Sequence, residues 1–256
     1  MPPQKRSPIT DPLLHNPGQT LDKQIQQKWD NIFTYLMFCV SGVVIVVSDW
    51  ETWLTQKIHH PLPATILAAA IMAFCIYKMV RTRREISRLT MARDGEMAIG
   101  QFLDGLRRAD TQVFHDIPAE GFNLDHVLIS PQGVYVIETK TYSKPLKGKA
   151  VIRVQDDQVL ANGQVIERNP LEQARGEARW LQELLQKSTG KKFPVRAVVL
   201  FLNWFVEPAK GHRDVWVLNQ KALPAFLAKE PRTMALEDVY LVSYHLTRYV
   251  GAKDKR

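Results

Sequence analysis

From Ile32 to Ser48 the chain reads IFTYLMFCVSGVVIVVS, without a charge and apolar on every side of a helix, and this run most constrains what the chain can fold into. Ile32, Phe33, Leu36, Phe38 and the valines and isoleucine that follow give an insertion free energy on the order of −3 to −6 kcal/mol. A second run, Leu62 to Val80, is richer in alanine and carries Lys78 near its end, where a long side chain reaches the headgroups. The expectation is two membrane helices, 32–48 and 62–80. Trp29, Trp50, Trp53 and Tyr77 stand near the run ends, where amphipathic rings favour the interface. Lys23 and Lys28 precede the first run and Arg81, Arg83, Arg84 and Arg88 follow the second, whereas Lys57 is alone between them. The positive-inside rule then places both termini in the cytoplasm. The expected location is an integral membrane protein of a bacterial inner membrane. About thirty mostly polar residues precede the first run, a poor fit to a cleaved signal peptide.

The remaining segments are read as a disordered lead and polar stretch, 1–31, a basic juxtamembrane linker, 81–91, a folded domain, 92–202, and an extension, 203–256, that completes or covers its sheet. Cys39 and Cys75 both lie in the apolar runs, so neither a disulfide framework nor a cysteine-built zinc site is available. The net charge is +8 and the pI about 9.5, which favours polyanionic partners: nucleic acid or an anionic membrane surface.

The folded part has an α/β pattern. Asp94 looks like the N-cap of a helix reaching Arg108, with Ile99, Phe102, Leu103 and Leu106 on one face. Phe122–Ser130 and Val134–Lys140, joined by Pro131, Gln132 and Gly133, read as a β-hairpin. Short strands are expected over Ala150–Val154 and Val159–Glu167, with Asp156, Asp157 and Asn162, Gly163 as turns. Asn169, Pro170 and Glu172 open a second helix with the apolar face Leu171, Ala174, Ala178, Leu181, Leu185. Val195–Leu202 suits a buried central strand and Val215–Leu218 another, followed by short helices near Leu223 and Glu237.

Side chains alternate along a strand, so Glu138 and Lys140 share a face with Val134 and Val136. A charged pair thus continues a hydrophobic line. Asp125, on the partner strand, comes near Glu138 if the hairpin register allows. Two converging carboxylates repel unless a cation neutralises them, and oxygen donors suit Mg²⁺ or Mn²⁺. Lys140 beside them would orient or deprotonate a water and stabilise charge on a phosphate. His126 alternates away from Asp125 and is read as structural.

Gly95-Glu96 at a helix, LDHVLISPQGVYVIETK over 124–140 and NPLEQA over 169–174 together resemble the nuclease-related domain, NERD, of the PD-(D/E)XK restriction-endonuclease-like superfamily. The resemblance covers about Ala92 to Leu202. It implies a mixed central sheet flanked by helices and a divalent-metal-dependent nuclease acting on nucleic acid, DNA more than RNA. It also implies a catalytic set of Glu96, Asp125, Glu138, Lys140 and Gln173, with Asp125, Glu138 and Glu96 toward metal. Where the family commonly continues with Asn, an aromatic residue and a nearby Gly, this chain has Thr141, Tyr142, Ser143 and Lys144, a departure that bears on substrate contacts. Lys144, Lys147, Lys149 and Arg175 are the candidate phosphate contacts, with Arg153, Arg168 and Arg179 nearby. The rival expectation is a noncatalytic module that tethers nucleic acid or protein at the cytoplasmic face of a membrane.

Overall fold

The computed structural model describes residues 15–56, 60–145, 148–208 and 214–253. Contacts divide the chain into two units. One is Thr20–Met91; the other is Ala92 onward together with the described residues before Thr20.

The first unit holds α1 (Gln19–Gln56) and most of α2 (Leu62–Asp104), paired as a helical hairpin. Trp50 Nε1 donates to Thr65 Oγ1 at 3.0 Å and Lys28 Nζ meets Glu85 Oε2 at 2.5 Å, which ties the hairpin near both ends. Both helices are long and apolar enough to cross a membrane, and almost none of their most apolar stretches is buried. Phe33, Val44, Ile45, Ile66 and Leu67 all face outward, which a core helix of a water-soluble protein would not do.

Both helices exceed the apolar runs. α1 begins at Gln19, well ahead of Ile32, and residues 81–91 are part of α2. Asp94 therefore does not cap a new helix: it lies within α2, and Arg93 Nη2 donates to it at 2.7 Å. No proline or glycine stands between Val80 and Asp94, and the Arg, Glu, Leu and Met there are good helix formers, so nothing stops the helix. It ends just before Gly105.

The second unit is a mixed α/β domain. Its main sheet has the order β1 (Gln112–Pro118), β2 (Asn123–Ser130), β3 (Gly133–Lys140), β7 (Val195–Phe201), β9 (Val215–Asn219). The first three strands run antiparallel, and β7 and β9 lie parallel to β3. The expected hairpin is present, as is the central strand at 195. A smaller sheet joins β4 (Val151–Gln155), β5 (Gln158–Ala161), β6 (Gln164–Val165) and β8 (Phe205–Val206). The turn expected at Asn162 and Gly163 is present, with positive φ values of 49° and 83°, and it divides 159–167 into β5 and β6.

One face of the main sheet buries Val127, Ile129, Val134 and Val136 against Leu181 and Leu185 of α3 (Pro170–Thr189) and Val239, Val242 and Leu246 of α5 (Leu236–Lys253). The other face buries Leu128, Tyr135 and Ile137 against Ile99 and Leu103 of α2 and Leu223, which opens the short α4 (Leu223–Leu227). The smaller sheet packs Ile152 and Val159 on Leu171, Ala174 and Ala178. The 203–256 extension thus supplies β8, β9, α4 and α5, which extend and cover the sheet.

Candidate functional site

The hairpin register pairs Val127 with Val136 and His126 with Ile137, so Asp125 falls opposite Glu138 where the β2–β3 ladder stops. The Asp125 side chain takes over there: Thr139 N–H donates to Asp125 Oδ2 at 2.8 Å. Asp125, Glu138 and Lys140 therefore stand at one end of the face that carries α3.

Lys140 Nζ donates to Glu138 Oε1 at 2.5 Å and to Gln173 Oε1 at 3.0 Å. The ion pair is largely inside the protein, with the Glu138 side chain only 4% exposed and that of Lys140 19%. Burial works against the Lys140 charge, but the adjacent Glu138 carboxylate outweighs it and its pKa moves up. The lysine therefore stays protonated at neutral pH.

Gln173 reaches this point because Asn169 caps α3, accepting from Leu171 N–H at 3.1 Å, with Pro170 at the first helical position. Four residues on, Glu177 lies beneath it and is 3% exposed. Gln173 Nε2 donates to Glu177 Oε1 at 2.9 Å. Glu177 was not among the expected site residues. Its signal was in the sequence, since it occupies the apolar stripe of α3 between Ala174 and Leu181.

Glu96 enters from α2. Its neighbour Gly95 lets the helix come very close to the end of β3: a Cβ built at Gly95 would sit 1.7 Å from Thr141 Oγ1 and 2.8 Å from Thr141 Cβ. Burial, then the charges of Asp116 and Glu138, push the Glu96 carboxyl up to about 8. Burial and Glu138 push Glu177 up to about 9. Asp125 is likewise raised well above the usual carboxylate range by burial and by Glu138 and Glu96. Asp116 is a further unforeseen member. It lies opposite Asp125 on β1 at the left-handed φ of 48°, and Asn123 Nδ2 donates to its Oδ1 at 2.7 Å.

Like charges gathered in this way favour either protons or a cation. Glu138 Oε2 and Glu177 Oε2 are buried and, as carboxylates, have no hydrogen-bond donor among the described residues; a proton on Glu177, shared with Glu138, supplies one. The Glu138 oxygen, beside further carboxyl groups, fits either that proton or a hard divalent ion. Among the described residues no three His, Cys, Asp or Glu side chains close on one point as a ready cage. Mg²⁺ does not need one, being held by one or two carboxylates plus water and phosphate oxygens.

The expected phosphate contacts fare unequally. Lys144 and Lys149 are exposed, as are Arg168 and Arg179, while Lys147 lies outside the described residues. Arg175 is not offered to a ligand, contrary to expectation. It donates to Asp157 at 2.7 and 2.6 Å and to Asp214 at 2.6 and 3.1 Å. Arg153 makes a forked pair with Glu207. His126, read as structural, is buried on the opposite face; its Nδ1 lies 2.8 Å from His115 Nδ1, and His115 Nε2 meets Asp104 Oδ1 at 3.1 Å. A cavity of about 830 Å³ lined by Trp204, Phe205, Trp216 and Phe226 lies beside β9, and neither Glu96, Asp125, Glu138 nor Glu177 lines it.

Comparison with known proteins agrees with the resemblance read from the sequence. Residues 92–202 match the family model of NERD, the nuclease-related domain. No curated protein and no solved structure matches the chain.

Proposed function

We propose that the nuclease-related domain of this chain hydrolyses phosphodiester bonds of nucleic acid, DNA in the first instance, with Mg²⁺ or Mn²⁺, from the cytoplasmic side of a bacterial inner membrane. The observation that carries this reading is the joint placement of Asp125, Glu138 and Lys140 at one sheet end, with a buried Glu138 oxygen that lacks a donor among the described residues when Glu177 is ionised. Asp125 and Glu138 would hold the ion, with Glu96 supporting it from α2. Bound there, a divalent ion supplies Lewis-acid stabilisation of phosphate oxygens and a more acidic water.

The chain's own residues do the rest. Glu138 Oε1 and Gln173 Oε1 hold the Lys140 ammonium in place. Its contribution is electrostatic: it orients the attacking water and stabilises charge that grows on the phosphoryl oxygens. Gln173 lies at the exposed rim, which leaves this end of the sheet open to a large substrate. Lys144 and Lys149, on the chain leaving β3, would neutralise phosphates as the strand is drawn across it.

The apolar surfaces of α1 and α2 support membrane attachment. Lys23 and Lys28 before the first apolar run, and Arg81, Arg83, Arg84 and Arg88 after the second, support a cytoplasmic domain.

The test is cleavage of plasmid and of single-stranded DNA by the purified full chain in lipid nanodiscs, with Mg²⁺ or with chelator. Cleavage that needs the metal and is abolished in Glu138→Ala is expected. Metal-independent, salt-sensitive DNA binding that survives Glu138→Ala, without cleavage, would replace hydrolysis by tethering.

A further inference from the structure

Lys140 is held by one neutral partner as well as by Glu138, and that partner has two chemically opposite ends. The Gln173 amide presents its carbonyl oxygen to Lys140 at 3.0 Å and its NH₂ to Glu177 Oε1 at 2.9 Å. Turned over, the same amide would point two N–H donors at an ammonium group, which has no lone pair to accept them. Lys140 alone favours the observed orientation. Glu177 enforces it from the other side, one helical turn along α3, with a carboxyl oxygen buried too deeply to swing to solvent.

We propose that Glu177 is a positioning residue: by taking the NH₂ end of Gln173 it fixes the polarity of the amide, and through it the place of the Lys140 ammonium beside Glu138. Two of the three Lys140 N–H bonds are then committed to described partners, to Glu138 and to Gln173, and one is left for the substrate. The relay runs Glu138, Lys140, Gln173, Glu177 and crosses from β3 to α3. Its catalytic meaning rests on the nuclease reading above, but its geometric content does not.

The experiment uses the full chain and two readouts. One is the acylation rate of Lys140 by a small amine-reactive reagent, read by mass spectrometry of its peptide; the other is DNA cleavage with Mg²⁺. Glu177→Leu fills much of the same space but removes the acceptor for the Gln173 NH₂. The amide is then free to turn, and Lys140 should label about tenfold faster while kcat falls by about tenfold with KM little changed. Glu177→Gln still has a carbonyl oxygen that accepts from Gln173 and should keep both readouts near wild type. In a Gln173→Ala background, Glu177→Leu should add nothing further.

Unchanged Lys140 labelling in Glu177→Leu would overturn the proposal. So would a deficit of the same size in Glu177→Gln, since that variant keeps the acceptor on which the positioning role depends. If no variant cleaves DNA, the labelling rates still decide the positioning role, while the nuclease reading fails separately.

Discussion

Replacing Gly95 by alanine sets two physical effects of opposite sign against each other. Inside a helix, alanine is better than glycine by about 1 kcal/mol, so propensity alone predicts a more stable protein. The structure predicts the reverse. The new methyl carbon would lie 1.7 Å from Thr141 Oγ1, 2.8 Å from Thr141 Cβ and 3.1 Å from its Cγ2. Threonine is branched at Cβ and cannot fold all three atoms away, so α2 or the end of β3 must move. Overpacking of this kind costs about 1–3 kcal/mol, leaving a net loss of about 0–2 kcal/mol after the propensity gain.

The second half of the cycle identifies the cause. The Thr141 hydroxyl is buried without a hydrogen-bond partner among the described residues, so Thr141→Ala alone should cost little. Combined with Gly95→Ala it removes the 1.7 and 3.1 Å contacts and should recover at least about 1 kcal/mol. Thermal unfolding of the full chain in nanodiscs, followed by tryptophan fluorescence, measures all four species. Gly95→Ala more stable than wild type, or no coupling between the two sites, would refute the close helix–strand contact. It would also remove the reason given for Glu96 being where it is.

Three further outcomes follow from the same geometry. Glu96 and Glu177, ordinarily near 4.5, are held up to about 8 and about 9, so the folded state keeps protons that the unfolded chain has released. Their stabilising contribution is complete below pH 4.5 and is lost progressively as pH rises from there to about 8 and about 9; the melting temperature without divalent ions should fall across that whole interval and level off above it, and Glu96→Gln should flatten the fall. Asp125→Asn keeps an acceptor for Thr139 N–H and should cost under about 1 kcal/mol, whereas Asp125→Ala leaves that donor unpaired and should cost about 1–3 kcal/mol, as chemical unfolding would show. Lys144→Ala and Lys149→Ala should weaken DNA binding and reduce its salt slope by about 1 each, while Arg175→Ala should leave the slope alone and lower stability, because Asp157 and Asp214 already occupy its guanidinium.

What the sequence disclosed depended on how local the physics was. Period-two alternation over Val134–Lys140 placed Glu138 and Lys140 together, and the Pro131–Gly133 turn set the register that brought Asp125 across. Asn169, Pro170 and Glu172 gave the start of α3, and so the height of Gln173. Glu177 is equally visible as a charge in an apolar stripe, but it lies beyond the motif that ends at Ala174. The run of α2 through Asp94 was hidden because an aspartate that resembles a cap is only a cap when something breaks the helix before it. β1 escaped because His115, Asp116 and Pro118 interrupt its alternation, although its middle is buried. The saturation of Arg175 lay beyond sequence, since Asp157 and Asp214 stand 18 and 39 residues away.

The most direct test of the account is binding of a paramagnetic divalent ion. Mn²⁺ titrated into the full chain in nanodiscs and followed by electron paramagnetic resonance should show a saturable protein-bound signal. Mg²⁺ should displace that signal, and the variant carrying Asp125→Asn with Glu138→Gln should lack it. Equal binding by the wild type and this variant, or none by either, would contradict the assignment of the buried carboxylates to a metal.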